Sequence, residues 1–344
     1  MKIRRIENLD IDDLIKFNQS IYPKRNMFDE SIKFKLLHNP ENKNLCHQSL
    51  IVTNEKEEII GQILMMPSIC RYNGKNLIVY WGMDYIVEDK YRGTAAGVLL
   101  CKKALKVDCH FGVGLSKTSL SMHKIFGEIN IGYLYKYIRL TNLFSIINFI
   151  LPKKNIKNNI EYPDKIKHKD NLFLRVIDPS EIVSNCGFWN ENLLEFSRDV
   201  EFLKWRYFHY ENKYLVYKLV LPKNIPNNSD QLTSFFVARP IIWKNVNCLL
   251  LVDYRISCDE HFTKILKATI ILARTLKLSA IITGCSLKSQ IPMLSKNLFF
   301  KFGKKMDIVS NYNKFYKGNS INKDKVFITF GDSDCDFYYG NNKW

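Results

Sequence analysis

Apolar and polar residues alternate along the first half of the chain in a pattern that predicts mixed α and β structure. Residues 11–20 have helical periodicity, and the runs SLIVTN, EIIGQILMMPSICRYNG and NLIVYWGMDYIV are typical of strands, the second of which breaks near Pro67. Residues 96–107 predict a helix, with Val98, Cys101 and Leu105 on one face. The runs FGVGLS, SLSMHKIFGEI and GYLYKYIRL then predict a strand, a helix and a strand.

The second half of the chain echoes this order of elements. DVEFLKWRYF predicts a helix, and YLVYKLV, TSFFVARPIIW and NCLLLVDYRIS predict three strands. Residues 259–277 predict an amphipathic helix before the strands AIITGCS and FFKFGKKMDIVS. Residues 152–171 are polar and lysine-rich, which is typical of a linker. We therefore expect two domains, residues 1–151 and 172–344, related by an ancient duplication.

The composition indicates the class of protein and the compartment in which it works. The chain has 344 residues, of which 46% are hydrophobic and 25% charged, so it can bury a sizeable core. The nine cysteines include no Cys-x-x-Cys pair, which favours reduced thiols. The charged start does not resemble an export signal, and the longest apolar run, LFSIINFIL, is too short to cross a bilayer. We expect a cytoplasmic protein without a membrane span.

The formal net charge of +17 invites a nucleic-acid interpretation, but the lysines are spread along the chain. A basic surface also suits anionic small molecules such as nucleotides and coenzymes. We therefore expect small-molecule substrates, no nucleic acid, and a monomer or a homodimer.

A turn of small residues joins the predicted strand at 76–87 to the helix that follows it. The stretch VEDKYRGTAAGVLL would bring backbone N–H groups and a partial positive charge to the helix start, where a phosphate can approach closely. Six residues would form this cradle: Arg92, Gly93, Thr94, Ala95, Ala96 and Gly97. No Gly-Lys-Ser/Thr follows, which excludes a Walker loop, and the spacing does not match a Rossmann fingerprint.

This stretch resembles the acyl-CoA-binding motif of the GNAT N-acyltransferase superfamily, Arg/Gln-x-x-Gly-x-Gly/Ala. Arg92, Ala95 and Gly97 occupy the three defined positions, and Ala95 stands where the family usually has glycine. The resemblance implies acyl-CoA as cosubstrate, with its pyrophosphate on the amides of residues 92–97. It also implies that Ile86 and Val87, near a splay in the strand, pair with the pantetheine arm through their backbone.

The second half lacks such a turn, because CDEHFTKIL contains no glycine and its Asp259 and Glu260 would repel phosphates. The tandem order, with FLKWRY and GDSD, resembles bacterial tandem-GNAT enzymes that acylate nucleotide-linked amino sugars for surface polysaccharides. This resemblance implies an α/β fold of two GNAT-like domains, each a mostly antiparallel central sheet flanked by helices. It also implies that only the first domain binds coenzyme A and that the second helps to shape the acceptor site.

Acyl transfer to an amine needs a base that removes a proton from the amine. Asp84, on the strand before the turn, is the first candidate, and its alternative role is an ion pair with a lysine or a bond to a backbone N–H. His123 is a second candidate because of its ordinary pKa, or else a helix histidine without catalytic role. Glu128 takes the place of the tyrosine acid of many family members, or else is a solvated helix residue. The backbone amide near Val87 is a candidate oxyanion donor.

Two further groups are candidate acceptor contacts. Asp332, Asp334 and Asp336 alternate in FGDSDCDFYYG, which predicts three carboxylates on one strand face that attract a sugar ammonium, or a solvated edge. Phe337 replaces the glycine that an EF-hand requires, so we expect no calcium, and no metal elsewhere. Trp205 and Arg206 could hold a nucleotide by stacking and charge, or form helix packing.

Together these features predict an acyl-CoA-dependent N-acyltransferase that acts on the amine of a dTDP- or UDP-linked amino sugar. Two enzymatic alternatives stay open: a protein-lysine or small-amine acetyltransferase, and a tRNA-dependent aminoacyl transferase. A non-catalytic CoA-binding or decayed GNAT-like protein is the third alternative, favoured by Ala95 and the missing tyrosine.

Overall fold

The computed structural model describes residues 1–23, 28–43, 48–142, 145–150, 161–182, 190, 192–209, 214–220, 233–315, 320–333 and 335. Its strands are, in chain order, β1 Lys2–Arg5, β2 Leu50–Thr53, β3 Ile59–Tyr72, β4 Lys75–Val87, β5 His110–Val113, β6 Ile129–Leu140, β7 Lys165–His168, β8 Asn171–Arg175, β9 Glu195–Phe196, β10 Leu215–Val220, β11 Phe235–Trp243, β12 Val246–Arg255, β13 Ala280–Cys285, β14 Phe300–Lys301 and β15 Met306–Ser310. Its α-helices are α1 Ile11–Ile21, α2 Phe28–Leu36, α3 Ala95–Ala104, α4 Lys117–Ile125, α5 Ser145–Ile150, α6 Val200–Leu203, α7 Asp259–Thr275, α8 Ile291–Lys296 and α9 Tyr312–Phe315.

The chain forms two compact units. The described residues of unit one fall in Met1–Tyr133 and Met306–Lys323, and those of unit two in Leu134–Lys305 and Asp324–Asn342. This division differs from the predicted boundary at residue 151. Pairing of strands explains the difference, because the second part of β6 pairs with β13 in unit two, and β15 pairs with β5 in unit one. The predicted linker also contains β7.

Unit one contains an antiparallel meander followed by a parallel pair. Strands β1, β2, β3 and β4 pair with one another in that order, and α3 then connects β4 to its parallel neighbour β5. The predicted break at Pro67 is wrong, because β3 continues through Pro67, which lies opposite Tyr80. An antiparallel strand tolerates proline where the missing N–H would point away from the paired strand. Helix α3 packs its buried Ala96, Leu100 and Ala104 against the sheet.

Unit two repeats the same order of pairing. Strands β7, β8, β10, β11 and β12 form an antiparallel meander, and α7 connects β12 to its parallel neighbour β13. The buried face of α7, which includes Phe262, Ile265 and Leu266, packs into the core of this unit. Two meanders, each followed by a helix and a parallel strand, are the arrangement that the sequence predicts for tandem domains. Among the described residues, no helix has the length and hydrophobicity needed to span a bilayer.

Candidate functional site

A β-bulge interrupts β4 shortly before its end. Leu64 pairs with Met83 and Gln62 with Ile86, so that Asp84 and Tyr85 both lie opposite Ile63. Asp84 has a φ of 43°, in the left-handed region that non-glycine residues rarely adopt. Such a bulge bends the strand and turns the following residues relative to the sheet. It therefore changes the direction of Ile86 and Val87, the residues predicted to contact pantetheine.

Strands β4 and β5 separate just before this bulge. Their parallel pairing covers only Tyr80 with His110 and Trp81 with Phe111. Beyond these pairs, β4 continues to Val87 with β3 on its far edge, whereas β5 pairs on its far edge with β15. We call the gap that begins after Trp81 and Phe111 the splay, and these two pairs together with Gly82 its apex. The facing edge of β4 in the splay can pair with an extended ligand.

Helix α3 begins next to the open end of the splay. Thr94 caps it, since its hydroxyl accepts a hydrogen bond from the Ala96 amide at 3.2 Å and donates to the Tyr91 carbonyl at 2.7 Å. The first amides of a helix have no acceptor within the helix, which leaves those of Ala95 and Gly97 for a ligand. Gly93 has a φ of 89° and is exposed, so this turn needs glycine.

Arg92 and Gly97 have specific local partners. The Arg92 guanidinium donates to the Val87 carbonyl at 3.2 Å and lies 2.8 Å from the Asp89 carboxylate, with 60% of its side chain exposed. The Tyr85 hydroxyl donates to the Gly97 carbonyl at 2.7 Å, and a Cβ at Gly97 would lie 3.0 Å from that hydroxyl. A small residue at position 97 therefore lets α3 approach β4 closely, while the methyl of Ala95 is exposed.

The Asp84 carboxylate forms an ion pair in unit one. Its Oδ2 lies 3.2 Å from Nζ of Lys35. The side chain of Asp84 is 12% exposed and that of Lys35 is 5% exposed. Pairing with a lysine is the alternative role that the sequence left open for Asp84. The ion pair therefore lies at the bulge of β4.

His123 and Glu128 lie together with a third residue, His110, that the sequence did not single out. Nδ1 of His110 lies 2.5 Å from Oε1 of Glu128, and Nδ1 of His123 lies 2.6 Å from Oε2. All three side chains are buried. Burial opposes ionisation of Glu128, but the charges and hydrogen bonds of His110 and His123 outweigh it and lower its carboxyl pKa to about 2. Glu128 is thus a buried ionised residue, which corrects the alternative of a solvated helix residue.

His110, His123 and Glu128, which we call the triad, are residue types that can bind a metal ion, and among the described residues they form the one such cluster. Nitrogen and oxygen ligands of one tetrahedral zinc ion stand about 3.4 Å apart, given metal–ligand distances of about 2.1 Å. The two N···O distances here are 2.5 and 2.6 Å, which are hydrogen-bond lengths. Nε2 of His110 lies 2.3 Å from the position of a Cβ on Gly82, so the Gly82 backbone packs against this side of the ring. The geometry favours a hydrogen-bonded triad over a metal centre.

The candidate acceptor residues of unit two are buried and paired. Nη2 of Arg198 donates to Asp332, Nε of Arg198 lies 2.5 Å from Asp253, and Arg255 lies 2.7 Å from Asp253. Asp332 lies in a bend after Phe330, not on the predicted strand face, and Asp334 lies outside the described residues, as does Asp336.

Trp205 and Arg206 also belong to the interior of unit two. They lie in a short π-helical turn, Lys204–Phe208, with 5% and 1% of the residue surface exposed. Arg206 donates to the Tyr214 hydroxyl at 2.9 Å and to the Ser333 carbonyl at 3.1 Å, and Trp205 packs edge-on against Phe202. Packing of this kind was the alternative to a nucleotide contact.

Unit two has a bulge and a splay of its own, but its chain fills the gap. Val237 pairs with Asp253 and Ala238 with Leu251, which makes Val252 the additional residue of β12. The amide of Gly331 donates to the Val252 carbonyl at 3.0 Å. On the β13 side, a Cβ at Gly284 would lie 2.8 Å from the ring of Phe330. Residues 327–333 thus occupy the position that corresponds to the splay of unit one.

Comparison with solved structures gives the fold. No protein-family model matches the sequence, and no curated protein sequence matches it. A probable N-acyltransferase from Enterococcus faecalis V583 superposes with a TM-score of 0.60 and 11% identity, over 90% of this chain and 71% of its own. N-myristoyltransferase of Saccharomyces cerevisiae, with bound myristoyl-CoA, superposes with a TM-score of 0.59 and 12% identity, over 90% of this chain and 82% of its own. A GCN5-related N-acetyltransferase from Anabaena variabilis superposes with a TM-score of 0.58 and 10% identity, over 90% of this chain and 72% of its own. The chain therefore has the fold of GNAT-type N-acyltransferases, and the predicted fold class is confirmed.

Proposed function

We propose that unit one binds acyl-CoA in the splay and transfers the acyl group to an amine. The observation that supports this most strongly is the combination of an open β4 edge at Ile86 and Val87 with a glycine turn and a capped helix directly after it. An extended amide-containing chain can pair with the strand edge, and the amides of Ala95 and Gly97 can bind a diphosphate. Fold neighbours with bound myristoyl-CoA are consistent with this ligand.

Asp84 is our candidate for the base. It lies at the bulge, where its carboxylate forms an ion pair with Lys35. The amine loses a proton to Asp84, its lone pair forms the C–N bond, the C–S bond breaks, and the thiolate of coenzyme A leaves with the electron pair. The backbone amide near Val87 would stabilise the oxyanion. His123 and Glu128 are buried and hydrogen-bonded within the triad, and we assign them to holding His110 in place.

The acceptor we propose is the amine of a nucleotide-linked amino sugar, as the tandem order and the resemblance to that enzyme group suggest. Trp205, Arg206 and Asp332, three of the four residues predicted to contact it, are buried, and Asp334 lies outside the described residues. A protein lysine or another small amine is therefore the second candidate for the same chemistry.

Titration with acetyl-CoA tests the coenzyme site, with a matched pair of variants. Arg92→Ala should weaken binding about tenfold, because it removes a cation and the bond to the Val87 carbonyl beside the phosphates. Lys90→Ala is the control, since Lys90 is equally exposed and also paired with a carboxylate, here that of Glu88. Absence of binding to the unaltered protein would contradict the proposal and leave the tRNA-dependent and decayed alternatives.

A thiol-release assay with amino-sugar nucleotides, lysine peptides and small amines then identifies the acceptor class. Asp84→Asn should lower turnover by about 10²–10⁴-fold without a large change in acetyl-CoA affinity. Unchanged turnover would remove Asp84 as the base. Coenzyme binding without turnover on any acceptor would favour the non-catalytic alternative.

A further inference from the structure

The geometry of the apex bears on which acyl group the splay can hold. This inference rests on the proposed function. If the pyrophosphate lies at the start of α3, directly after β4, the pantetheine arm must run back along β4 from Val87 toward Gly82. Five strand residues span about 17 Å, at about 3.3 Å each. The acyl end of the coenzyme then lies at the apex.

One face of the apex is closed by the ring of His110. A Cβ built on Gly82 would lie 2.3 Å from Nε2 of His110, 2.9 Å from its Cε1 and 3.5 Å from its Cδ2. The ring therefore fills the volume that a side chain at Gly82 would take. An acyl chain could not enter this volume on that face of the strands without displacing the ring.

The ring of His110 is held by one buried hydrogen bond, and its backbone by another. Its Nδ1 is bonded to the ionised Glu128, whose other oxygen is bonded to His123. The His110 amide donates to Oδ1 of Asn311 at 2.6 Å. Moving the ring would leave a buried carboxylate with one hydrogen bond fewer, which is costly in a low-dielectric interior. His110 is therefore a fixed wall, not an adaptable side chain.

The other face of the apex is closed by aromatic rings. Trp81 and Phe111 face each other across the last strand pair, with ring centroids 5.4 Å apart, and 1% and 0% of their surfaces are exposed. Close packing of this kind leaves no room for additional methylene groups without rearrangement.

We propose that His110, held by Glu128 and seated against Gly82, restricts the acyl group of this enzyme to a short one such as acetyl or propionyl. The restriction belongs to the apex itself and does not depend on which amine accepts the group. In this respect the chain differs from its fold neighbour that binds myristoyl-CoA.

A panel of acetyl-, propionyl-, hexanoyl- and myristoyl-CoA tests the proposal on the unaltered protein. The specificity constant kcat/KM should fall by at least about tenfold from the two short thioesters to hexanoyl-CoA, and more for myristoyl-CoA. Equal or better use of the long chains would overturn the proposal. If no coenzyme thioester binds in a titration, the proposed function itself fails, which is a separate outcome.

Three variants test which residue sets the limit. His110→Ala should raise the ratio of hexanoyl to acetyl transfer about tenfold or more, because it removes the wall. Gly82→Ala in the His110→Ala background should lower that ratio again, because the added methyl refills part of the space. His123→Asn is the comparison variant: it removes the other partner of the Glu128 carboxylate but leaves the His110 ring in the apex, so the ratio should rise much less than in His110→Ala. A ratio that changes equally in His110→Ala and His123→Asn would contradict the assignment. The panel on the unaltered protein remains decisive if a variant does not fold.

Discussion

The two units contain the same sequence of strand, bulge and helix, yet among the described residues only unit two has a segment that fills its splay. In unit one, two residue pairs join β4 to β5, and an open edge leads to a glycine turn and the Thr94 cap. In unit two, four pairs join β12 to β13, and residues 327–333 follow along β12 where the gap would be. Helix α7 begins with Asp259 and Glu260 and has no side-chain cap. The comparison teaches that one order of elements can leave this gap without a described segment in one unit and fill it in the other, and that the two helix starts differ in their carboxylates.

The largest effect is expected from the buried ion pairs of unit two. Arg198→Ala should lower the free energy of unfolding by about 3–5 kcal/mol, because Asp253 and Asp332 would lose one of the two guanidinium groups that they share in a buried site, that of Arg255 remaining. Lys218→Ala, which breaks the more exposed pair with Glu181, should cost about 0–1 kcal/mol. Urea unfolding of both variants measures the difference, and equal losses would contradict the structural role of the buried cluster.

The triad of unit one should produce a measurable dependence of stability on acid. The carboxyl pKa of Glu128 is lowered from 4.5 to about 2, so Glu128 stabilises the fold above about pH 4.5. This contribution, about 3 kcal/mol, is lost as the pH falls from 4.5 toward 2. The stability difference between the unaltered protein and Glu128→Gln should therefore shrink over that range. A difference that is constant from pH 6 to pH 3 would show that folding does not lower the carboxyl pKa of Glu128.

Overfilling the splay of unit two gives the next prediction. Gly284→Ala should destabilise the protein by about 1–3 kcal/mol, because the new methyl would lie 2.8 Å from the ring of Phe330. Phe330→Leu in the same background should recover part of the loss, since it removes the ring atoms that the methyl meets. A double-mutant cycle by urea unfolding measures this coupling. Additive effects would mean that Phe330 and Gly284 are not in contact.

The smallest effect concerns the first turn of α7. Asp259→Asn with Glu260→Gln should lower stability by about 0.3–1 kcal/mol, because the carboxylates favour the positive end of the helix. Coenzyme stoichiometry in a titration should stay at one, since residues 327–333 still fill the splay. A second binding site in this variant would show that charge alone distinguishes the two units.

Sequence reasoning located the elements that depend on local pattern. The predicted β4, α3 and α7 match the structure to within a few residues. The signals that locate them, which are the hydrophobic period, glycine turns and helix caps, depend on residues only a few positions apart. The triad was not found as a unit, since His110 and Glu128 are 18 residues apart and meet only through the pairing of strands. The sequence signal that could have indicated it is a single histidine, His110, at the start of a buried strand. The return of β15 to unit one and the filling of the second splay also depend on contacts far apart in the chain.

The return of β15 also determines when unit one can be completed during synthesis. β5 pairs through Phe111 and Val113 with residues near the other end of the chain. A ribosome that has made only the first 151 residues has produced β5 without this neighbour, and an unpaired strand edge invites association between nascent chains. Unit one must therefore wait until nearly the whole chain has emerged, and a fragment cut at residue 151 should aggregate where the full chain stays dispersed.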